Sequence, residues 1–232
     1  MRILGIDTST KLLSLGVSYN TKIYEYNIEL ATLVSRLLAP TIKRVIEAIN
    51  CKVSDIDYFA CGLGPGSFTG IRVGMACIKG LSWSLKKPVI GIPTLDIMAA
   101  GITEHKGYIV PCVDAKRGLV YCAIYRRKGL NTKRLTSYLL LKPQELIKKI
   151  SPGTLIMGDA IGLYKEAINK AGKDVFFADK DYWYPKGHCI IELAKEKLKA
   201  GKINNAFNIK PIYLYPKECQ IRNSNVKIQN PK

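Results

Sequence analysis

The sequence predicts an α/β protein of two duplicated lobes, each a mixed sheet with helices, facing each other across a cleft. Three observations carry this. The chain runs twice through the order strand–strand–strand–helix–strand–helix. A glycine-rich stretch from Gly64 to Gly74 joins a short apolar strand to an apolar helix, as a phosphate-handling loop would. The 232 residues, with a hydrophobic share of 47%, supply core enough for one large domain or two small lobes. The halves share no matching residue identities, so the repeat rests on the pattern of elements alone.

The first round opens with a mostly buried strand at residues 2–7, a polar turn, and a second strand over Leu12–Tyr19. Asn20-Thr21 turns the chain into Lys22–Leu30, where Ile23, Tyr24, Tyr26 and Ile28 favour a third strand. A helix follows over about residues 32–50, with Thr32 as N-cap and an apolar stripe of Leu38, Ile42, Val45, Ile46 and Ile49. Pro40 inside it suggests a kink or a late start. Ile56–Gly62 reads as a strand and the stretch to Leu85 as a helix that is apolar nearly all round, hence buried on more than one side. Pro88–Ile92 and Thr94–Ala100 complete the round as strand and short helix.

The second round has hairpin strands at Tyr108–Asp114 and Leu119–Tyr125 around Ala115-Lys116-Arg117-Gly118, and a third strand over Lys133–Leu141. A helix from Pro143, a strand at Thr154–Met157 and a helix over Leu163–Ala171 follow. A lysine-rich helix at residues 187–200 returns to the first lobe. The expected division is residues 1–103 with that helix, 104–216, and a flexible polar tail at 217–232.

No apolar run approaches the roughly 20 residues of a membrane span, and Met1–Asp7 reaches a charge too soon for a signal peptide. A cytoplasmic location without membrane contact is expected. The seven cysteines are odd in number and lack a Cys-x-x-Cys spacing, which argues against structural zinc and for core packing. The net charge of +18 is uneven: residues 1–100 carry 11 basic and 7 acidic side chains, residues 101–232 carry 25 and 11. Such a field attracts a polyanion such as RNA; a lysine-, asparagine- and isoleucine-rich composition with no partner behind it accounts for it equally well.

Two motifs could carry chemistry. Asp7, Thr8, Ser9 and Thr10 follow a buried strand, where a carboxylate could hold a hydrated Mg²⁺ and hydroxyls could accept a phosphate. A turn satisfying its own backbone is the plainer reading. Gly64, Gly66 and Gly70 allow close approach of an oxygen-rich ligand. Ser67 or Thr69 can cap the following helix, whose first turn carries Arg72. The spacing is neither that of a P-loop nor of a Rossmann fingerprint. His105 and His188 stand far apart, so no metal site and no catalytic residue is assigned. Asp114 and Asp159 end strands and are cleft carboxylates or turn caps.

Ile6-Asp7-Thr8-Ser9, Gly64-Pro65-Gly66-Ser67-Phe68-Thr69-Gly70-Ile71-Arg72-Val73-Gly74 and Lys79-Gly80-Leu81 resemble the bacterial TsaB (YeaZ) family, subunits of tRNA threonylcarbamoyladenosine biosynthesis. Val89–Leu95, Val113–Tyr121, Gly158-Asp159-Ala160 and Pro211-Ile212-Tyr213-Leu214 extend the resemblance in the right order over about residues 2–216. It implies an actin-like ATPase (ASKHA, RNase H-like) fold. It also implies a non-catalytic scaffold that activates a TsaD-like catalytic subunit beside a TsaE-like ATPase, with tRNA reached through the complex and a homodimer as a further state. No cofactor is expected on this chain; ATP and a metal ion belong to the assembled complex. Nucleotide or phosphate contacts would fall on Asp7, Thr8, Ser9, Gly64, Gly66, Ser67, Thr69 and Arg72. The partner interface would use Leu33, Leu37, Pro40, Gly70, Val73, Gly74 and Cys77 on the helices at 32–50 and 70–85. Where the family often has a His-Ser-Glu-like segment, this chain reads Leu33-Val34-Ser35-Arg36-Leu37-Leu38, which removes metal chemistry from that helix. A free-standing ATP-dependent kinase or ATPase of the same fold is the alternative; a protease lacks a visible nucleophile–base pair.

Overall fold

The computed structural model describes residues 1–129 and 131–215; the tail expected from 217 onward lies outside them. The first sheet is built from β1 (Ile3–Asp7), β2 (Leu12–Tyr19), β3 (Lys22–Glu29), β4 (Tyr58–Gly62) and β5 (Val89–Ile92), in the order β3-β2-β1-β4-β5. β1 runs antiparallel to β2 and parallel to β4, and β4 parallel to β5. Because side chains alternate along a strand, β1 feeds two cores. Leu4 and Ile6 meet the stripe of Leu38, Ile42 and Ile46 on α1 (Val34–Ala48) and Ile71, Met75 and Ile78 on α2 (Phe68–Leu85). Ile3, with Ala60 and Ile90, meets Ile190, Ile191 and Ala194 of α6 (Gly187–Lys199) on the opposite face.

The second sheet repeats the plan. β6 (Gly107–Asp114), β7 (Val120–Cys122), β10 (Leu139–Leu141), β11 (Thr154–Met157) and β12 (Val175–Phe177) lie in the order β10-β7-β6-β11-β12. Strand directions match those of the first sheet: β6 is antiparallel to β7 and parallel to β11. The order and directions of the two sheets make the fold a two-lobed, actin-like one. α3 (Thr94–Ala100) follows β5; α4 (Pro143–Lys149) and α5 (Ile161–Lys170) flank β11 in sequence.

Two expectations are corrected, the Thr32 cap and the all-round burial of the second helix. Thr32 does not cap α1: it lies in a 3-10 turn at Ala31–Leu33, and the N-cap Leu33 supplies no side-chain bond. α1 runs through Pro40, where the missing N–H falls on the exposed side and leaves the Arg36 carbonyl to solvent. α2 buries one face only, since Ala76, Gly80 and Trp83 are exposed.

The strand expected over Leu119–Tyr125 is broken into β7 and β8 (Tyr125–Lys128), and the one over Lys133–Leu141 into β9 (Asn131–Arg134) and β10. The cause is on the neighbouring strand. Cys112 pairs with Cys122 and Ile109 with Tyr125, which sets Pro111 opposite Ala123, and a proline donates no ladder bond. Beyond the break, the Ile124 amide donates to the Thr136 hydroxyl at 3.0 Å and its carbonyl accepts from Leu135 at 2.8 Å. β8 and β9 thus form a hairpin off the repeated plan. The three-residue edge strand β12 was not foreseen.

α6 seats on β2 through two glycines. A methyl on Gly16 would fall on the Gly187 carbonyl, and one on Gly187 on the Leu15 carbonyl. Neither neighbour can move aside, since both are backbone. Gly187→Ala should therefore destabilise the protein by about 1–3 kcal/mol or more, read as a lowered urea midpoint at unchanged slope; an unchanged midpoint would refute the close seating.

Candidate functional site

The turn Asp7-Thr8-Ser9-Thr10 and the glycine loop form one structure. Asp7 is buried, and its Oδ1 accepts from the Ser9 amide at 2.7 Å and the Ser9 hydroxyl at 2.5 Å. Its Oδ2 accepts from the Thr94 hydroxyl at 2.6 Å, and that oxygen in turn accepts from the Gly64 amide at 3.1 Å. The Thr94 amide donates to the Gly64 carbonyl at 2.8 Å. The glycines follow the shape of the turn. Methyls on Gly62, Gly66, Gly70 and Gly74 would fall respectively on the Asp7 carboxylate, the Ser9 carbonyl, the Thr8 carbonyl and the Thr8 hydroxyl. The Thr8 hydroxyl donates to the Gly70 carbonyl at 2.7 Å. Ser67 caps α2 by accepting from the Gly70 amide at 3.2 Å.

This docking separates the residues expected to bind phosphate. A cleft of about 750 Å³ between the lobes is lined by Ser9, Gly66, Ser67 and Thr69 from one side and by Asp114, Lys116, Arg117 and Asp159 from the other. Asp7, Thr8 and Gly64 are buried behind it. Arg72 lies outside the lining: its guanidinium carbon sits 3.7 Å above the Phe68 ring, and Nε donates to the Tyr213 hydroxyl at 3.2 Å. The Asp7 carboxylate, with its three donors in place, is a structural acceptor rather than an open cation ligand. Burial pushes its carboxyl above the ordinary value, against the opposing hydrogen bonds from Ser9 and Thr94.

The facing side is built from the β6–β7 turn, in which Lys116, Arg117 and Gly118 all take positive φ. Asp114 holds that turn by accepting from the Lys116 amide at 2.8 Å and pairing with its Nζ at 2.6 Å. Asp159, whose carboxyl burial also raises, accepts from the Asp114 amide at 2.9 Å. Both aspartates therefore shape the turn and line the cleft. Lys11 reaches the cleft while paired with Glu29 at 3.0 Å.

On the outer face of the first lobe, α1 and α2 lie side by side. Leu33 is exposed, Leu37, Val73 and Cys77 are half-buried, and Pro40 is exposed. Gly70 and Gly74 correct the interface expectation, because both are buried against Thr8 within the chain. Trp83, 69% exposed on α2, and exposed Phe68 were not singled out from sequence, although a tryptophan on a helix with surplus apolar surface was the signal available.

One further side-chain cluster lies on the other face of the first sheet. Cys189 Sγ lies 3.2 Å from His188 Nε2, and His188 Nδ1 lies 2.6 Å from Glu25 Oε2. This is a thiol–imidazole–carboxylate series whose carboxylate comes from 163 residues earlier in the chain. It lacks nucleophilic character: Cys189 is 2% exposed, and burial, aided by Glu192 and Glu25, pushes its thiol up to about 12.

A protein-family model described as TsaD, tRNA N6-adenosine threonylcarbamoyltransferase, matches residues 30–205. Among curated relatives, the tRNA threonylcarbamoyladenosine biosynthesis protein TsaB of Buchnera aphidicola subsp. Schizaphis graminum is 33% identical over 82% of this chain and 90% of its own. Those of Bacillus subtilis and Escherichia coli are each 28% identical, over 96% and 92% of this chain and 97% and 94% of theirs. Of solved structures, YeaZ from Pseudomonas aeruginosa aligns at a TM-score of 0.79 and 21% identity, over 92% of this chain and 99% of the other. A Pseudomonas aeruginosa protein described as similar to peptidase YeaZ aligns at 0.81 and 22%, with the same coverage. At these identities the two structures speak to fold.

The Asp7 geometry sets a pH dependence. Because the folded carboxyl titrates above its ordinary 3.8, the folded state holds that proton more tightly. Its contribution to stability is full below 3.8 and is lost as pH rises through the raised value. Asp7→Asn keeps an acceptor for Ser9 and removes the ionisation. The stability of the variant relative to the parent should rise as pH increases above 3.8 and level once the raised carboxyl has ionised, followed by urea unfolding. A pH-independent difference would show that Asp7 is not shifted.

Proposed function

We infer the role of this chain from the premise that it belongs to the TsaB (YeaZ) family, within the wider tRNA N6-adenosine threonylcarbamoyltransferase family: it is a non-catalytic subunit in the biosynthesis of N6-threonylcarbamoyladenosine at position 37 of tRNA, binding and activating a TsaD-like catalytic subunit. The observation that carries this reading is the closed state of Asp7. The one carboxylate that the turn motif offers for a cation is spent on Ser9 and Thr94. The chain thus keeps the frame of a nucleotide-handling fold while its motif serves packing. ATP, the metal ion and a TsaE-like ATPase belong to the assembled complex on this reading, and the tRNA is the substrate of the whole.

The surface of α1 and α2 is the docking face. Leu33 and Trp83 are 44% and 69% exposed, and large apolar side chains of this kind anchor interfaces. A homodimer of the chain would use the same face and compete with the catalytic subunit.

A free-standing ATPase or kinase is the rival reading, favoured by the cleft itself, which at about 750 Å³ falls in the range of small-molecule sites. It requires ATP turnover by the chain alone.

Reconstitution separates the two. With a TsaD-like and a TsaE-like subunit, ATP and tRNA, modification should depend on this chain, and the chain alone should not hydrolyse ATP above background. The paired change Leu33→Glu with Trp83→Ser should weaken the complex with the TsaD-like subunit by about tenfold or more, with little change in melting temperature because both side chains are exposed. Full modification without this chain would sink the proposal.

A further inference from the structure

The β8–β9 hairpin lies outside the repeated strand plan and concentrates charge. Residues 125–134 contain Arg126, Arg127, Lys128, Lys133 and Arg134 and no acidic residue. The two faces of the hairpin treat these cations differently. On the inner face, Arg127 is buried and donates to the Ile102 carbonyl and, at 3.2 Å, to the Thr132 hydroxyl. Arg134 pairs with Asp96 at 3.7 Å and stacks 3.9 Å above the Tyr138 ring. The fold uses both.

On the outer face, Arg126, Lys128 and Lys133 are exposed and form no ion pair among the described residues. Arg126 stands directly opposite Lys133 in the ladder. Like charges so placed are close neighbours and destabilise the sheet. Tyr108 of β6 continues this row across the sheet, with the Arg126 guanidinium 5.6 Å from its ring. Lys106, also exposed, lies one residue before β6. Glu104 on the preceding loop is the nearest acid in sequence and pairs with none of them. Three cations and an aromatic ring thus share one surface, at a cost in folding that no ion pair among the described residues offsets.

We propose that the outer face of this hairpin binds the sugar-phosphate backbone of RNA. Spaced, uncompensated cations on a strand surface complement a phosphate chain, and the ring beside Arg126 holds one guanidinium in place or stacks on an unpaired base. The choice of tRNA as the RNA rests on the function proposed above. The basic excess of the second half of the chain then has a focus, rather than a uniform compositional origin.

The test is the affinity of the full chain alone for an unmodified tRNA transcript, measured between 50 and 200 mM salt. Arg126→Glu replaces a like-charge pair with an opposite-charge one facing Lys133. Binding should weaken by about tenfold, with the slope of log affinity against log salt falling by about 1, while the melting temperature rises. A residue serving the fold would lose both affinity and stability. Lys133→Glu should behave the same way. Lys22→Glu, at the edge of the first sheet, makes the same change in net charge and should alter affinity less than twofold. If the hairpin variants bind like the parent, or weaken no more than Lys22→Glu, the proposal is overturned. It is equally overturned, in favour of an acidic protein partner, if they retain tRNA affinity but no longer assemble with the TsaD-like subunit. Binding without any requirement for the chain in modification would instead fault the proposed function and leave the hairpin's role intact.

Discussion

Burying the carboxylate of Asp7 forces much of the first lobe into place. The charge must be met by donors, and those come from Ser9 on its own turn and Thr94 at the start of α3. To reach them the turn lies flat on the loop after β4, so close that four positions between 62 and 74 cannot carry a side chain. Thr94 also closes the loop through both backbone groups of Gly64. The spacing of the glycines is therefore an imprint of the Asp-Thr-Ser-Thr turn. The two motifs most suggestive of chemistry explain each other before any ligand is considered.

Behind this contact the lobe is a sandwich, with α1 and α2 on one face and α6 on the other. The second lobe repeats the strand order and lays its own turn, held by Asp114 and Asp159, on the opposite wall of the cleft. The duplication shapes the cleft as well as the topology: each lobe contributes a strand–turn–strand unit to the same space. The hairpin of β8 and β9 is the departure from symmetry, made possible where Pro111 interrupts the ladder.

Much of this was legible in the sequence because it is local. Period-two and helical patterns located β2, β11, α3 and α6 to within a residue or so, and the order of elements revealed the repeat. What escaped was set at long range. Thr32 looked like a cap, yet the 3-10 turn placed the helix start beyond it. Leu119–Tyr125 is a good strand by composition, and only its register against Pro111 breaks it. Gly70 and Gly74 read as a helix-packing pair; that they receive Thr8, some sixty residues away, is a tertiary fact. The approach of Glu25 to the adjacent His188 and Cys189 was hidden likewise, since Glu25 comes from β3. Arg72 seemed aimed at a phosphate until Tyr213, near the end of the described chain, was seen to hold it.

The return of α6 to the first sheet has a consequence for how the chain acquires its structure. The layer of Ile3, Ala60 and Ile90 is covered by Ile190, Ile191 and Ala194, so a core begun at the third residue is completed nearly two hundred residues later. On a ribosome adding about 5–20 residues per second, this apolar layer stays open for roughly ten seconds or more while the second lobe is made. The first lobe is consequently not closed until most of the second has been synthesised. The paired glycines at 16 and 187 let the late helix lie directly on the backbone of the second strand.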